Sequence, residues 1–235
     1  LLSDSKGELY FFHATDPSGK GETDEAWLEG IVCQKSSDEG TTWKGGEPFG
    51  ILPGKDQYRV WPTAALKKQD VYAVWTQFDK YGVRDTSFHS NIMFSQSESE
   101  GKKWSKAHRI NQLSGDCVLS DNTTMGAMTA VDAKGRIFAV WANREAFYFD
   151  RSYDNGKTWL NNDLIVTKQL GGWAMDVPGI DHCNGLLVMV IDNSPSRYHG
   201  SLYLVWADQR NGENNTDIWL MRSSNGGDNW STPLR

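Results

Sequence analysis

Side chains able to do chemistry sit in the polar segments between this sequence's hydrophobic runs. The earliest hold Asp16 and Glu22, then Arg59 with Trp61, then Asp79, Arg84 and Asp85. Further on come Asp116, Cys117 and Asp121, then Asn143, Arg144 and Glu145. Trp173, Asp176, Asp181, His182 and Cys183 follow, and Arg197, Tyr198, Asp208 and Arg210 close the series. This mixture suits a carbohydrate: aromatic faces stack on sugar rings, and charged groups hydrogen-bond hydroxyls or a carboxylate. For any one of these residues a solvated polar loop is the plain alternative.

Other chemistries have thinner support. Asp181, His182 and Cys183 are metal-ligand types, but adjacent residues rarely point at one ion, and neither metal nor cofactor is expected. Cys117 and Cys183 fall in comparable segments and are read as a disulfide or as free thiols, while Cys33 reads as a small buried apolar residue. Asn122, Asn214 and Asn229 begin Asn-x-Ser/Thr triplets, which matter only in a glycosylating secretory pathway. A net charge of −6 without a basic stripe argues against nucleic acid as a partner. No apolar run approaches the roughly 20 residues of a membrane-spanning helix. The opening Leu1-Leu2-Ser3-Asp4-Ser5 lacks the charged start and apolar centre of a secretory leader.

What must position these residues is a repeat. Ser-x-Asp-x-Gly-x-Thr-Trp appears as Ser36 to Trp43 and as Ser152 to Trp159. Two degraded copies run from Ser97 to Trp104, with Ser99 at the Asp position, and from Ser223 to Trp230, with Asn225 there. The chemistry is that of a hairpin turn: Asp accepts backbone N–H groups just ahead of it, Gly supplies positive φ, and Trp wedges against a neighbouring sheet. The box aspartates are therefore structural rather than catalytic.

Upstream of each box lies an aromatic run: Leu9 to His13, Val71 to Trp75, Ile137 to Trp141 and Leu202 to Trp206. Near-continuous hydrophobicity marks a strand covered on both faces. Before three of these runs comes a further strand, ending in Thr63-Ala64-Ala65-Leu66, Met128-Thr129-Ala130-Val131 and Val188-Met189-Val190-Ile191. Four strands per unit, repeated radially, make an all-β propeller of antiparallel blades. About four blades are expected, roughly 1–50, 51–115, 116–170 and 171–235, as a single incomplete domain of a larger ring. Box turns lie on one face. The long loops, between second and third strands and between units, lie on the other, where sites usually form.

The boxes with the Tyr-x-Val-Trp strands (Tyr72 to Trp75, Tyr203 to Trp206) resemble the sialidase (neuraminidase) superfamily, over nearly the whole chain. That resemblance implies a six-bladed ring, a secreted, periplasmic or cell-surface location, and hydrolysis of terminal sialic acid or a related sugar. It also implies a three-arginine clamp on the substrate carboxylate, a Tyr nucleophile paired with a Glu, and an Asp acid/base. Tyr58-Arg59-Val60-Trp61-Pro62 is similar to the family's first arginine motif, with one residue in excess before Pro62. The implied catalytic set is Arg59, Asp79 or Asp85, Arg144, Glu145, Tyr198 and Arg210. Trp61, Trp173, Asp176 and Asp208 are the implied substrate contacts. A non-catalytic propeller of the same ancestry, binding glycans or serving adhesion or assembly, is the alternative.

Overall fold

A computed structural model describes residues 1–16, 28–65, 69–172 and 175–235. Its described residues form strands and turns without a helix. Sheet I holds β1 (Leu2–Ser3), β2 (Leu9–Thr15) and β3 (Gly30–Ser36). The bridges Ile31 to Phe49 and Lys35 to Lys44 add a fourth run to it. Sheet II holds β4 (Asp56–Ala64), β5 (Val71–Phe78), β6 (Ser90–Ser97) and β7 (His108–Arg109). Sheet III holds β8 (Met125–Val131), β9 (Ile137–Asn143), β10 (Ala146–Ser152) and β11 (Leu164–Lys168). A separate hairpin, β12 (Met175–Val177) with β13 (Ile180–Cys183), precedes sheet IV. Sheet IV holds β14 (Val188–Ile191), β15 (Leu202–Asp208) and β16 (Asp217–Ser223), with Leu234 bridging Leu220 at its rim. All pairings are antiparallel, each sheet running in chain order from an inner strand outward. These are the stacked blades of a partial propeller.

The core lies in the three seams between sheets. Tyr10, Phe12, Ile31 and Cys33 of sheet I meet Val71, Ala73, Trp75 and Met93 of sheet II. Tyr72, Val74, Ile92 and Phe94 on the other side of sheet II meet Ile137, Ala139 and Trp141. Phe138, Val140, Phe147 and Phe149 then meet Leu202, Leu204, Trp206 and Met221. Every residue of β5 and β9 is buried because each of these strands carries a seam on both faces. That is why their sequences show no polar alternation.

The box turns follow the expected chemistry. Thr42 N and Thr158 N donate to Asp38 and Asp154 at 2.8 and 2.9 Å. At the degraded copies Ser99 Oγ accepts Lys103 N at 2.9 Å, and Asn225 Oδ1 accepts Asn229 N at 3.1 Å. The box Ser accepts its glycine's N–H in all four. These positions, all at positive φ, require glycine for a second reason as well. A Cβ on Gly156 would fall 2.2 Å from Phe94, and one on Gly227 2.2 Å from Phe149, each ring belonging to the preceding sheet.

Candidate functional site

Strand parity sorts the loops. Segments joining first to second strands lie at the box end, with the turns joining third to fourth. Segments joining second to third strands, and one sheet to the next, lie at the opposite end. Arg197 and Tyr198 follow β14 and precede β15, so they lie at the box end, contrary to the expectation that they share a mouth with Arg59. There the Tyr198 ring lies under the guanidinium groups of Arg197 (4.6 Å) and Arg222 (5.3 Å).

The innermost strands form the wall of the central cleft. β4 carries a one-residue bulge between Tyr58 and Trp61, and β8 carries the same bulge between Met125 and Met128. In β8 the bulged residue is Gly126, with φ 70°; in β4 it is Arg59, with φ 50°. Pairing of Val188 with Val205 puts Leu186 at the equivalent place in sheet IV. Arg59, Val60, Trp61, Gly126, Ala127, Met128, Leu186 and Leu187 together line a cleft of about 280 Å³. Arg59 is exposed and Trp61 is 42 % exposed, so an arginine and an indole face the cleft from one strand. Arg59 also rides over the Tyr58 ring at 5.3 Å. Beside it Tyr58, Phe78, Tyr81 and Leu28, with Asp56 and Gln57, line a smaller pocket of about 130 Å³.

An arginine in the left-handed region costs of order 1–3 kcal/mol, and such strain gathers at functional sites. Of the described non-glycine residues at positive φ, Glu39, Glu100 and Asn155 belong to box turns. The other four, Arg59, Leu119, Arg144 and Glu145, all lie toward the long-loop end. Arg144 and Glu145 form the two-residue turn between β9 and β10, with φ 48° and 54° and both side chains exposed. Its backbone is pinned by Arg144 N to Asp121 O (2.6 Å) and by Gln169 N to Glu145 O (2.7 Å).

The remaining candidates are engaged locally. Asp79 accepts Lys55 Nζ at 2.5 Å and His89 N at 3.0 Å. Asp85 accepts both the N–H and the hydroxyl of Ser87 at 2.8 Å, and these bonds hold its carboxyl below the usual range. Asp208 is fully buried and accepts Trp206 Nε1 (2.8 Å) and Arg210 Nε and Nη2. Burial pushes its carboxyl up, and these donors more than reverse that, leaving it below the ordinary value. Arg210 is held between the Trp206 and Trp219 rings (5.0 and 4.7 Å) and also donates to Lys168 O. The pair is a closed structural unit rather than an open clamp. Asp176 is exposed on the β12–β13 hairpin, its carbonyl accepting Gln209 Nε2. Glu22 and Trp173 lie outside the described residues, as do the side chains of Asp181 and His182.

The three cysteines are free thiols; Cys33 and Cys117 are buried. No group of three metal-ligating side chains converges among the described residues. Leu186, Leu187 and Met128, which complete the cleft, were not among the site residues expected from sequence. Only the register of their strands reveals them.

No protein-family model and no curated protein matches the chain. Solved structures do. The NanB sialidase of Streptococcus pneumoniae superposes with a TM-score of 0.65 at 10% identity, over 99% of this chain and 50% of that one. The Trypanosoma rangeli sialidase, in complex with a difluorinated keto-deoxy-nononic acid, gives 0.55 at 14% identity over 98% and 36%. A xylan β-1,4-xylosidase from Bacillus halodurans gives 0.52 at 12% identity over 98% and 40%. The chain thus spans about half or less of these proteins' lengths. Blades stacked in this order, with box turns at one end and strained loops at the other, give the chain a sialidase-like propeller fold.

Proposed function

We propose that the cleft around Arg59 binds a carbohydrate bearing a carboxylate, outside the cell or at its surface. The observation that carries this reading is the bulge in β4. It sets an exposed guanidinium and an exposed indole on one cleft wall, where the neighbouring sheets place Gly126 and Leu186. A planar guanidinium matches a carboxylate through two parallel hydrogen bonds, and an indole face takes the apolar side of a sugar ring. The likeness to a sialidase holding an acidic nine-carbon sugar supports the ligand class.

Hydrolysis of the bound sugar is a second reading, favoured by the strained Arg144–Glu145 turn exposed at the same end. Glu145 would then be the activating carboxylate, Arg144 a second clamp residue, and Asp79 the acid/base, since Ser87 holds Asp85 too acidic to donate a proton.

Calorimetric titration with sialyllactose and with lactose tests the first reading. Sialyllactose alone should bind, and Arg59→Ala should weaken it about tenfold or more, the worth of a charge-assisted pair. Equal binding of both sugars, or an indifferent Arg59→Ala, would sink it. Release of fluorophore from a sialoside, lost in Glu145→Gln, decides the second.

A further inference from the structure

Two internal seams are finished differently at their outer rim, far along each sheet from the innermost strand that carries Arg59. Between sheets II and III, Gln112 and Asp163 clasp each other. Gln112 N donates to Asp163 Oδ2 at 2.8 Å, Asp163 N to Gln112 Oε1 at 2.5 Å, and Gln112 Nε2 to Leu160 O at 3.0 Å. Register locates the counterparts between sheets I and II. Phe49 N donates to Ile31 O as Ile110 N does to Ile92 O, so Ile51 holds the place of Gln112. His108 pairs with Phe94 as Leu164 pairs with Phe149, so Ala107 holds the place of Asp163. An isoleucine and an alanine cannot form that clasp, and a rim groove of about 510 Å³ lies there instead.

The groove is apolar at its base and basic along one wall. Phe49 and Trp104 stack nearly parallel at 4.0 Å, and Ile51 and Leu52 stay 43 % and 36 % exposed beside them. Lys102, Lys103 and Lys106 line the sheet II side, and Glu47 is the one acid of the lining. Lys102 lies 4.0 Å from Glu100, while Lys103 and Lys106 make no ion pair among the described residues. Ile51 N, whose counterpart Gln112 N is taken by the Asp163 carboxylate, has no hydrogen-bond partner among the described residues. A backbone donor, three ammonium groups and an apolar base call for a carboxylate next to an aliphatic side chain. A sugar ring fits less well, because Phe49 already covers one face of Trp104.

We propose that this groove docks an extended acidic segment of a partner protein. One of its carboxylates takes the position that Asp163 holds at the next rim and accepts the Ile51 N–H, a charge-assisted bond. A neighbouring aliphatic side chain rests on Ile51, Leu52 and Trp104, and further carboxylates meet Lys103 and Lys106.

Fluorescence anisotropy of a labelled Leu-Glu-Leu-Asp-Leu-Glu peptide tests it, with the Gln and Asn version of the same peptide as control. The acidic peptide should bind about tenfold or more tightly than the amide version, and Lys103→Glu with Lys106→Glu should weaken it by a similar factor. Ile51→Gln with Ala107→Asp rebuilds the clasp across the groove and should abolish binding, with circular dichroism showing that the fold is kept. Failure of the acidic peptide to bind, equal binding of the two peptides, or binding that survives the rebuilt clasp overturns the proposal. So does a preference for dextran sulfate over the peptide, which would assign the groove to an anionic polysaccharide.

Discussion

Among single residues, the buried carboxyl of Asp150 makes the sharpest stability prediction. Its Oδ1 accepts Leu160 N at 2.8 Å, while Oδ2 is buried without a partner among the described residues. Burial pushes this carboxyl up to about 7. An unfolded Asp titrates near about 3.9, so the folded state holds the proton over the intervening range. Stability is full below that lower value and is lost as pH rises through about 7, at roughly 1.4 kcal/mol per unit crossed. Asp150→Asn should therefore melt higher than the native protein at about pH 8, with a shallower decline above about pH 5, in calorimetric scans. A native profile flat over the same range would contradict it. Residue roles were unevenly legible in the sequence. Arg59 stood out because Tyr58-Arg59-Val60-Trp61-Pro62 is similar to the first arginine motif of the sialidase superfamily. Tyr198 was misplaced because the length of its loop pointed to the functional end, whereas strand parity puts it at the other. Arg210 looked available because nothing in its sequence neighbourhood reveals that Trp219, in the next strand, closes over it.

The elements were far more legible than the side chains. Each third strand ends at its box Ser, at Ser36, Ser97, Ser152 and Ser223, because the Ser and Asp side chains there take over the backbone's hydrogen bonding. Bulges are different: β4 and β8 share one, yet Tyr-Arg-Val-Trp and Met-Gly-Ala-Met have no residue in common. Only pairing with β5 and β9 exposes it. The β9–β10 turn departs from local preference in the same way. Two consecutive left-handed residues call for Asn-Gly, and the chain has Arg144-Glu145. Arg144→Asn with Glu145→Gly should stabilise the fold by about 1 kcal/mol in denaturant titration. Any hydrolysis that depends on Glu145 should vanish in the same variant. A loss of stability would show that these two side chains support the fold.

At the scale of the whole molecule, stability follows the seams. β5 and β9 are covered on both faces, whereas Val188 and Val190 of β14 are 46 % and 53 % exposed. Amide hydrogen exchange should be slowest in β5 and β9 and fastest, among the inner strands of sheets II to IV, in β14. Comparable protection in β14 and β9 would refute this gradient. The propeller itself could be read from the box repeat and the aromatic runs, because both encode contacts every sheet makes alike. The cleft could not, because it depends on what differs between equivalent positions, Arg59 against Gly126 against Leu186.

The landing of Gly156 on Phe94 and of Gly227 on Phe149 means that the unit of chain and the unit of packing are out of phase. A box belongs by connectivity to one sheet and by contact to the one before it. Cutting the gene at a unit boundary, for instance after Lys168, would deliver sheet III with its own box intact but with Phe149 bare. Shortened versions of this protein therefore need to run past the following box, and domain swaps between such propellers need to exchange a sheet together with the turn that covers it.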